Sequence, residues 1–133
     1  MESEALVLNE GRDSPPEILE RTFRFAAEVI QLCGRLDERP GVARVMMSQI
    51  LRAATRVPAN LEEAQAAQSK ADFIGKMSIA LKEARETHLR LRLAATGGLI
   101  PEEFLQLIRE AEEIKRVLGA IIVSSKRSSS SHF

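Results

Sequence analysis

Apolar residues recur at helical spacing along most of the chain. Ile18, Phe25, Val29, Leu32 and Leu36 lie three, four or seven residues apart, between "SPPE" and "DERPG". The first phrase reads as a helix start. Ser14 can cap, Pro15 suits the first helical position, and Glu17 stands three residues after the cap. A second stripe opens near Val42 and takes in Val45, Met46, Ile50, Leu51, Ala54 and Val57. It runs into Pro58 and resumes in "ANLEEAQAAQ". A proline inside a helix removes a backbone donor and crowds the carbonyl four residues back, at a cost of about 3 kcal/mol. The pattern predicts one helix, or two halves, kinked at Pro58.

Ser69 and Asp72 form a capping-box-like pair, and the third helix is predicted from about 70 to 96. Phe73, Met77, Ala80, Ala84, Leu91 and Ala95 line one face of it, flanked by Ile74, Leu81, Leu89 and Leu93. So wide an apolar sector means either contacts beyond the monomer core or a well-covered bundle helix. "TGG" (96–98) ends this helix and "PEE" (101–103) starts the next. Phe104, Leu107, Ile108, Ala111, Ile114, Leu118, Ile121 and Ile122 form the fourth stripe. No strand pattern and no repeat interrupts the sequence. The expected fold is all-α, an antiparallel up-down-up-down four-helix bundle with its second helix kinked at Pro58. Residues 1–13 read as a flexible acidic tail, 14–125 as the bundle and 126–133 as a disordered Ser-rich tail.

Composition narrows the function classes. Lys+Arg and Asp+Glu both number 19, so the chain as a whole is not a strongly basic nucleic-acid binder. Trp and Tyr are absent, which weakens any scheme of bases stacked on aromatic side chains. The single cysteine, Cys33, excludes an internal disulfide and reads as a small core residue. With only His88 and His132 as histidines, neither a metal centre nor a cofactor is expected. No zinc, phosphate-loop, dinucleotide or nucleophile-elbow motif occurs, the Glu-x-x-His pairs of di-iron bundles are missing, and no catalytic residue is assigned. The acidic N-terminus lacks the features of a signal peptide, and no apolar run is long enough to span a membrane. A cytoplasmic protein of bacterial type, with no membrane partner, is the expectation.

The neutral total hides an asymmetry. Residues 42–96 carry nine Lys/Arg against five acids. On the second helix Arg44, Arg52 and Arg56 fall within about 120° of one another at 100° per residue. On the third, Arg85, His88 and Arg92 share an edge. These six are the candidate nucleic-acid contacts. The alternative is a solvated face with local ion pairs, and a helix-interface role for His88.

Two stretches carry a family resemblance. In "AATRVPANLEE" the matching residues are Ala53, Ala54, Val57, Pro58, Ala59, Asn60, Leu61 and Glu63. In "SKADFIGKMSIALKEARET" they are Ser69, Lys70, Asp72, Phe73, Ile79, Ala80, Glu83, Glu86 and Thr87. Over roughly residues 20–123 the chain resembles the four-helix-bundle proteins encoded in intervening sequences of 23S rRNA. The accessory variability proteins of diversity-generating retroelements are more distant relatives. The departures are Arg56 in place of a serine, Leu61-Glu62-Glu63-Ala64 in place of apolar-Ala-Glu-Gly, and His88-Leu89 in place of an aromatic pair. The aromatic opening of the first helix is reduced to Phe23 and Phe25. The resemblance implies a ring-like homopentamer and an association with rRNA, and implies no established catalytic activity. The retroelement relatives add a basic barrel that binds nucleic acid and a reverse transcriptase. Pro58, Ala59, Asn60, Ser69 and Phe73 are then structural signature residues. Pro58 would bend the second helix where the bundle turns or meets a neighbour, and the Asn60 amide would satisfy backbone groups freed there. Two function classes follow. One is an oligomer contacting RNA or DNA phosphates through the arginine stripes. The other is an oligomeric adaptor for a protein partner.

Overall fold

The computed structural model describes residues 15–36 and 41–128. Four helices account for most of them: α1 Pro15–Arg35, α2 Val42–Gln65, α3 Lys70–Thr96 and α4 Gln106–Arg127. Each packs on its neighbour in sequence, and α1 also meets α4, so the four surround one core as the expected up-down-up-down bundle. The expected N-terminal tail, the Ser14 cap and residues 129–133 of the expected C-terminal tail lie outside the described residues, while α4 continues through 126 and 127 to end at Arg127, two residues past the expected end of the bundle.

The core matches the periodicity in α1, where Ile18, Phe25, Val29, Leu32 and Leu36 are all buried. In α2 the register differs from expectation. Val42 and Val45 face solvent, and Ala43 and Met47 take their place inside. Two apolar residues per turn were available there, and the wheel that buries Ile50, Ala54 and Val57 also buries positions 43 and 47. In α3, Ala94 rather than Ala95 is buried, and Thr87 and Glu83 join the interior. Thr87 is accommodated because its hydroxyl donates to the Glu83 carbonyl at 2.8 Å.

α2 passes through Pro58 as a single helical segment, so it is one helix and not two halves. Pro58 has no N–H, and the Ala54 carbonyl therefore lacks its helical donor. The Asn60 amide does bond to the backbone, but to the Arg56 carbonyl at 2.8 Å. The Thr55 hydroxyl donates to the Leu51 carbonyl at 2.9 Å. Side-chain bonds thus tie the backbone on both sides of the proline.

The caps set the remaining ends. Ser69 Oγ accepts from the Asp72 N–H at 3.0 Å, and the Asp72 carboxylate accepts from the Gln68 N–H at 3.2 Å. The hydrogen bond from Lys76 and that from Gln68 hold the Asp72 carboxyl below its ordinary range. The expected start of the fourth helix at 101–103 is instead a 3₁₀ turn, Glu102–Phe104, with α4 proper beginning at Gln106. Pro101 is extended, and its carbonyl accepts from the Phe104 N–H at 2.9 Å, closing a three-residue turn before the α-helix can start.

The α1–α4 seam is the thinnest contact between neighbouring helices. Arg21 spans it with a forked pair of bonds to Glu110, at 2.6 and 2.9 Å. Farther along, Arg35 pairs with Glu103 and lies 5.6 Å from the centre of the Phe104 ring.

Candidate functional site

Three surfaces carry features that the core does not explain. The first is the outer face of α2. Arg52 and Arg56 stand one turn apart and both are exposed. Arg56 leans toward α3, with its guanidinium 3.6 Å from the buried Glu83 carboxylate. Among the described residues Arg52 has no carboxylate at ion-pair distance. Arg44 is also exposed, on the turns nearer the start of the helix.

The second surface surrounds the α3–α4 seam. His88 is only 8% exposed, and its Nε2 lies 3.0 Å from Glu112 Oε1. Lys115 Nζ approaches its Nδ1 at 3.4 Å. Burial, then the charges of Lys115 and Arg92, push the imidazole below its ordinary value, with Glu112 pulling the other way. Partial burial opposes ionisation of Glu112, but Lys115, His88 and Arg116 together hold its carboxyl below the usual range. His88 is thus an interior link between two helices and stands behind the surface. Arg85 and Arg92 are exposed beside it. The two sets of cations do not merge. Arg56 and Glu83 mark the α2 side of α3, whereas His88 and Glu112 mark its α4 side.

The third surface was not legible as a site in the periodicity. α1 carries a second apolar stripe, Leu19, Phe23, Ala26 and Ile30, beside its core stripe. Phe23 and Ile30 are 68% and 53% exposed. Together with Thr55, Pro58, Ala59 and Glu62 of α2 they line an open groove of about 600 Å³. The signal was the 4-3-4 spacing of residues 19, 23, 26 and 30, which overlaps the core pattern and is masked by it. Pro58 and Ala59 of the signature therefore form one wall of an apolar groove. Ser69 and Phe73, by contrast, serve the cap and the core. Among the described residues no cluster of His, Cys, Asp or Glu could hold a metal ion. Cys33 is partly buried, its Sγ lies 3.5 Å from the Met47 carbonyl, and burial pushes the thiol up to about 11. No described helix is long and apolar enough to cross a membrane.

Comparison with known proteins bears on the fold and the family. No curated protein matches the chain. A crystal structure of a protein of unknown function from the S23 ribosomal protein family of Bacteroides thetaiotaomicron is similar to it. That structure superposes with a TM-score of 0.74 at 36% identity, over 82% of this chain and 97% of the other. The model of the 23S rRNA-intervening sequence protein family matches residues 16–120, a span that runs through all four helices. With all four helices reached by that span and the Pro58 signature and the Ser69 cap inside it, this chain belongs to the 23S rRNA-intervening sequence protein family.

Proposed function

We propose that this chain is a non-catalytic, self-associating four-helix bundle of the cytoplasm that contacts the phosphates of structured RNA or DNA. Arg52 and Arg56 form the central pair of contacts, with Arg44, Arg85 and Arg92 as outlying cations. The observation that carries the reading is the outer face of α2, where Arg52 and Arg56 are exposed one turn apart. Two guanidiniums at that spacing suit adjacent phosphate oxygens along a backbone. Membership in a family named for an rRNA intervening sequence supports the same ligand class. The non-catalytic part is supported by where the buried polar groups point. Thr22 and Thr87 donate to carbonyls of their own helices, Glu83 faces Arg56, and His88 faces Glu112. Each of these groups has a structural partner. The pentameric state is what the family resemblance implies.

The apolar groove favours a second reading, an oligomeric adaptor that grips a protein partner. One preparation separates the two. Size-exclusion chromatography would be followed by light scattering, refractive index and absorbance at about 260 nm, where nucleic acid absorbs. Lacking Trp and Tyr, the protein itself absorbs weakly in the near ultraviolet. The expected result is an oligomer with excess absorbance that high salt removes. A double Arg52→Gln, Arg56→Gln variant should keep its helix content. Its log-log salt dependence of binding should be shallower by about two, roughly one for each phosphate that is no longer neutralised. An oligomer silent in that channel would move the assignment to the adaptor.

A further inference from the structure

We propose that the groove between α1 and α2 receives the outer face of α3 from a second copy of this chain, in a head-to-tail contact. The inference rests on the self-association in the reading above and names the surfaces that perform it. Phe23, Ala26, Ala27 and Ile30 stand at i, i+3, i+4 and i+7. Four residues so placed make the diamond-shaped hole that accepts one side chain in knobs-into-holes packing. Its walls are large and exposed, and its floor is two alanines, leaving depth for a leucine. Pro58 and Ala59 close the far side without presenting any long polar side chain.

The complementary shape is on the same chain. The outer face of α3 exposes Ile79, Leu89 and Leu93 at 45%, 47% and 55%. Positions 79, 82, 86, 89 and 93 alternate by three and four, the spacing of a helix-packing seam. Exposed large apolar residues on that spacing mark a contact surface.

Charge fixes the direction. Glu20 and Glu62 stand at one end of the groove, where α1 begins and α2 finishes. Lys82 is the exposed cation within the α3 stripe. Lys82 and Leu89 are seven residues apart, as are Glu20 and Ala27, and both pairs rise about 10.5 Å along a helix. Laying α3 parallel to α1 of the next copy therefore sets Lys82 against the acidic end. Leu89 then sits over the alanine floor, and Leu93 beside Ile30. Reversing α3 about Lys82 would set Ile79 beside Phe23 but would put Gly75 over the alanine floor and Asp72 beside Ile30, leaving the floor unfilled and an acid against an apolar wall. Groove and stripe are different surfaces of one protomer, so the contact is heterologous and propagates from copy to copy.

Sedimentation of nuclease-treated protein in high salt reads the assembly without any contribution from nucleic acid. Failure of the phosphate-binding reading would therefore leave this result intact, and the reverse also holds. Ala27→Arg blocks the groove at an exposed position, and Leu89→Arg spoils the stripe at another. Each alone should sediment at the 14.7 kDa of one chain with unchanged helix content. Mixed in equal amounts, they retain one intact groove and one intact stripe, and should give a species of about twice that mass and no larger. At low salt, Glu62→Lys and Lys82→Glu should each weaken assembly, and should restore it when combined in one chain. The proposal is overturned by a monomeric wild-type chain, including the case in which only a Leu6→Asp, Leu8→Asp variant assembles because the chain's own first residues fill the groove. It is equally overturned if the Leu89→Arg variant keeps the wild-type mass, or if the mixed variants stay at the mass of one chain.

Discussion

At the scale of single residues, His88 shows how position decides chemistry. Its spacing from Arg85 and Arg92 placed it in a basic edge, yet the bundle turns its ring into the α3–α4 seam against Glu112. The sequence records which residues share a helix face. It does not record how far the neighbouring helix rolls over that face, and this roll separates the buried His88 from the exposed Arg92. The burial has a consequence for pH. The imidazole is held below its ordinary value of 6.5, chiefly by desolvation and then by Lys115. Below that pH the unfolded chain takes up the proton before the folded one does, so the unfolded state binds more protons and stability falls. The contribution is fully present above 6.5 and is lost as pH drops toward the depressed folded value. Thermal melts followed by circular dichroism from roughly pH 8 to roughly pH 5 should show the midpoint declining across this window. His88→Gln should flatten that decline. The carboxyl of Glu112 is depressed too, but its stabilising effect is lost only below its ordinary 4.5, whereas the loss at His88 begins at 6.5. A midpoint that stays level until that lower window would show that the histidine is not desolvated in the seam.

At the scale of elements, the caps and the proline carry testable energies. Ser69 satisfies one orphan amide at the start of α3, and Ser69→Ala should cost about 1 kcal/mol, read as a lower midpoint in urea with an unchanged slope. Pro58 is the opposite case. An interior proline costs about 3 kcal/mol relative to alanine, so Pro58→Ala restores a donor for the Ala54 carbonyl and should raise, or at least hold, the thermal midpoint of the monomer. The same variant removes the ring from the groove wall and should lower the assembly mass at a given concentration. A drop in monomer stability would mean that the ring's packing outweighs the backbone defect. This division of roles explains what could be read in advance. The existence of four helices, the α1 core stripe, the Ser69 cap and the stop at Gly97–Gly98 follow from local rules, and all are present. The second stripe of α1 was hidden because Leu19, Phe23 and Ile30 interleave with Ile18, Phe25 and Val29. Periodicity alone cannot tell one apolar face bound for the core from another left outside it. In α2 the same ambiguity moved Val42 and Val45 to the surface.

At the scale of the whole molecule, the basic and apolar surfaces belong to one arrangement. α2 lies between the groove on its α1 side and the outer face of α3 on its other side. A chain of head-to-tail contacts through those two surfaces therefore repeats Arg52 and Arg56 at a fixed interval, once per copy, and a closed ring sets them on one circle. Each pair alone offers two exposed cations, of which Arg56 is shared with Glu83, so under the proposed function a single copy would bind phosphate weakly. Linked copies raise the effective concentration of every further pair once the first has bound, and avidity can exceed single-site affinity by about 10²–10⁴-fold. The proposed assembly and the proposed nucleic-acid binding would then be separable but coupled. Ala27→Arg leaves Arg52 and Arg56 untouched and even adds a positive charge, so on electrostatics alone it should bind RNA slightly better. If the ring supplies the affinity, it should instead bind a labelled structured RNA at least about a hundredfold more weakly by fluorescence anisotropy, with a shallower salt dependence. Equal or tighter binding by this variant would place the whole affinity in one protomer's arginines and leave the assembly to serve some other contact.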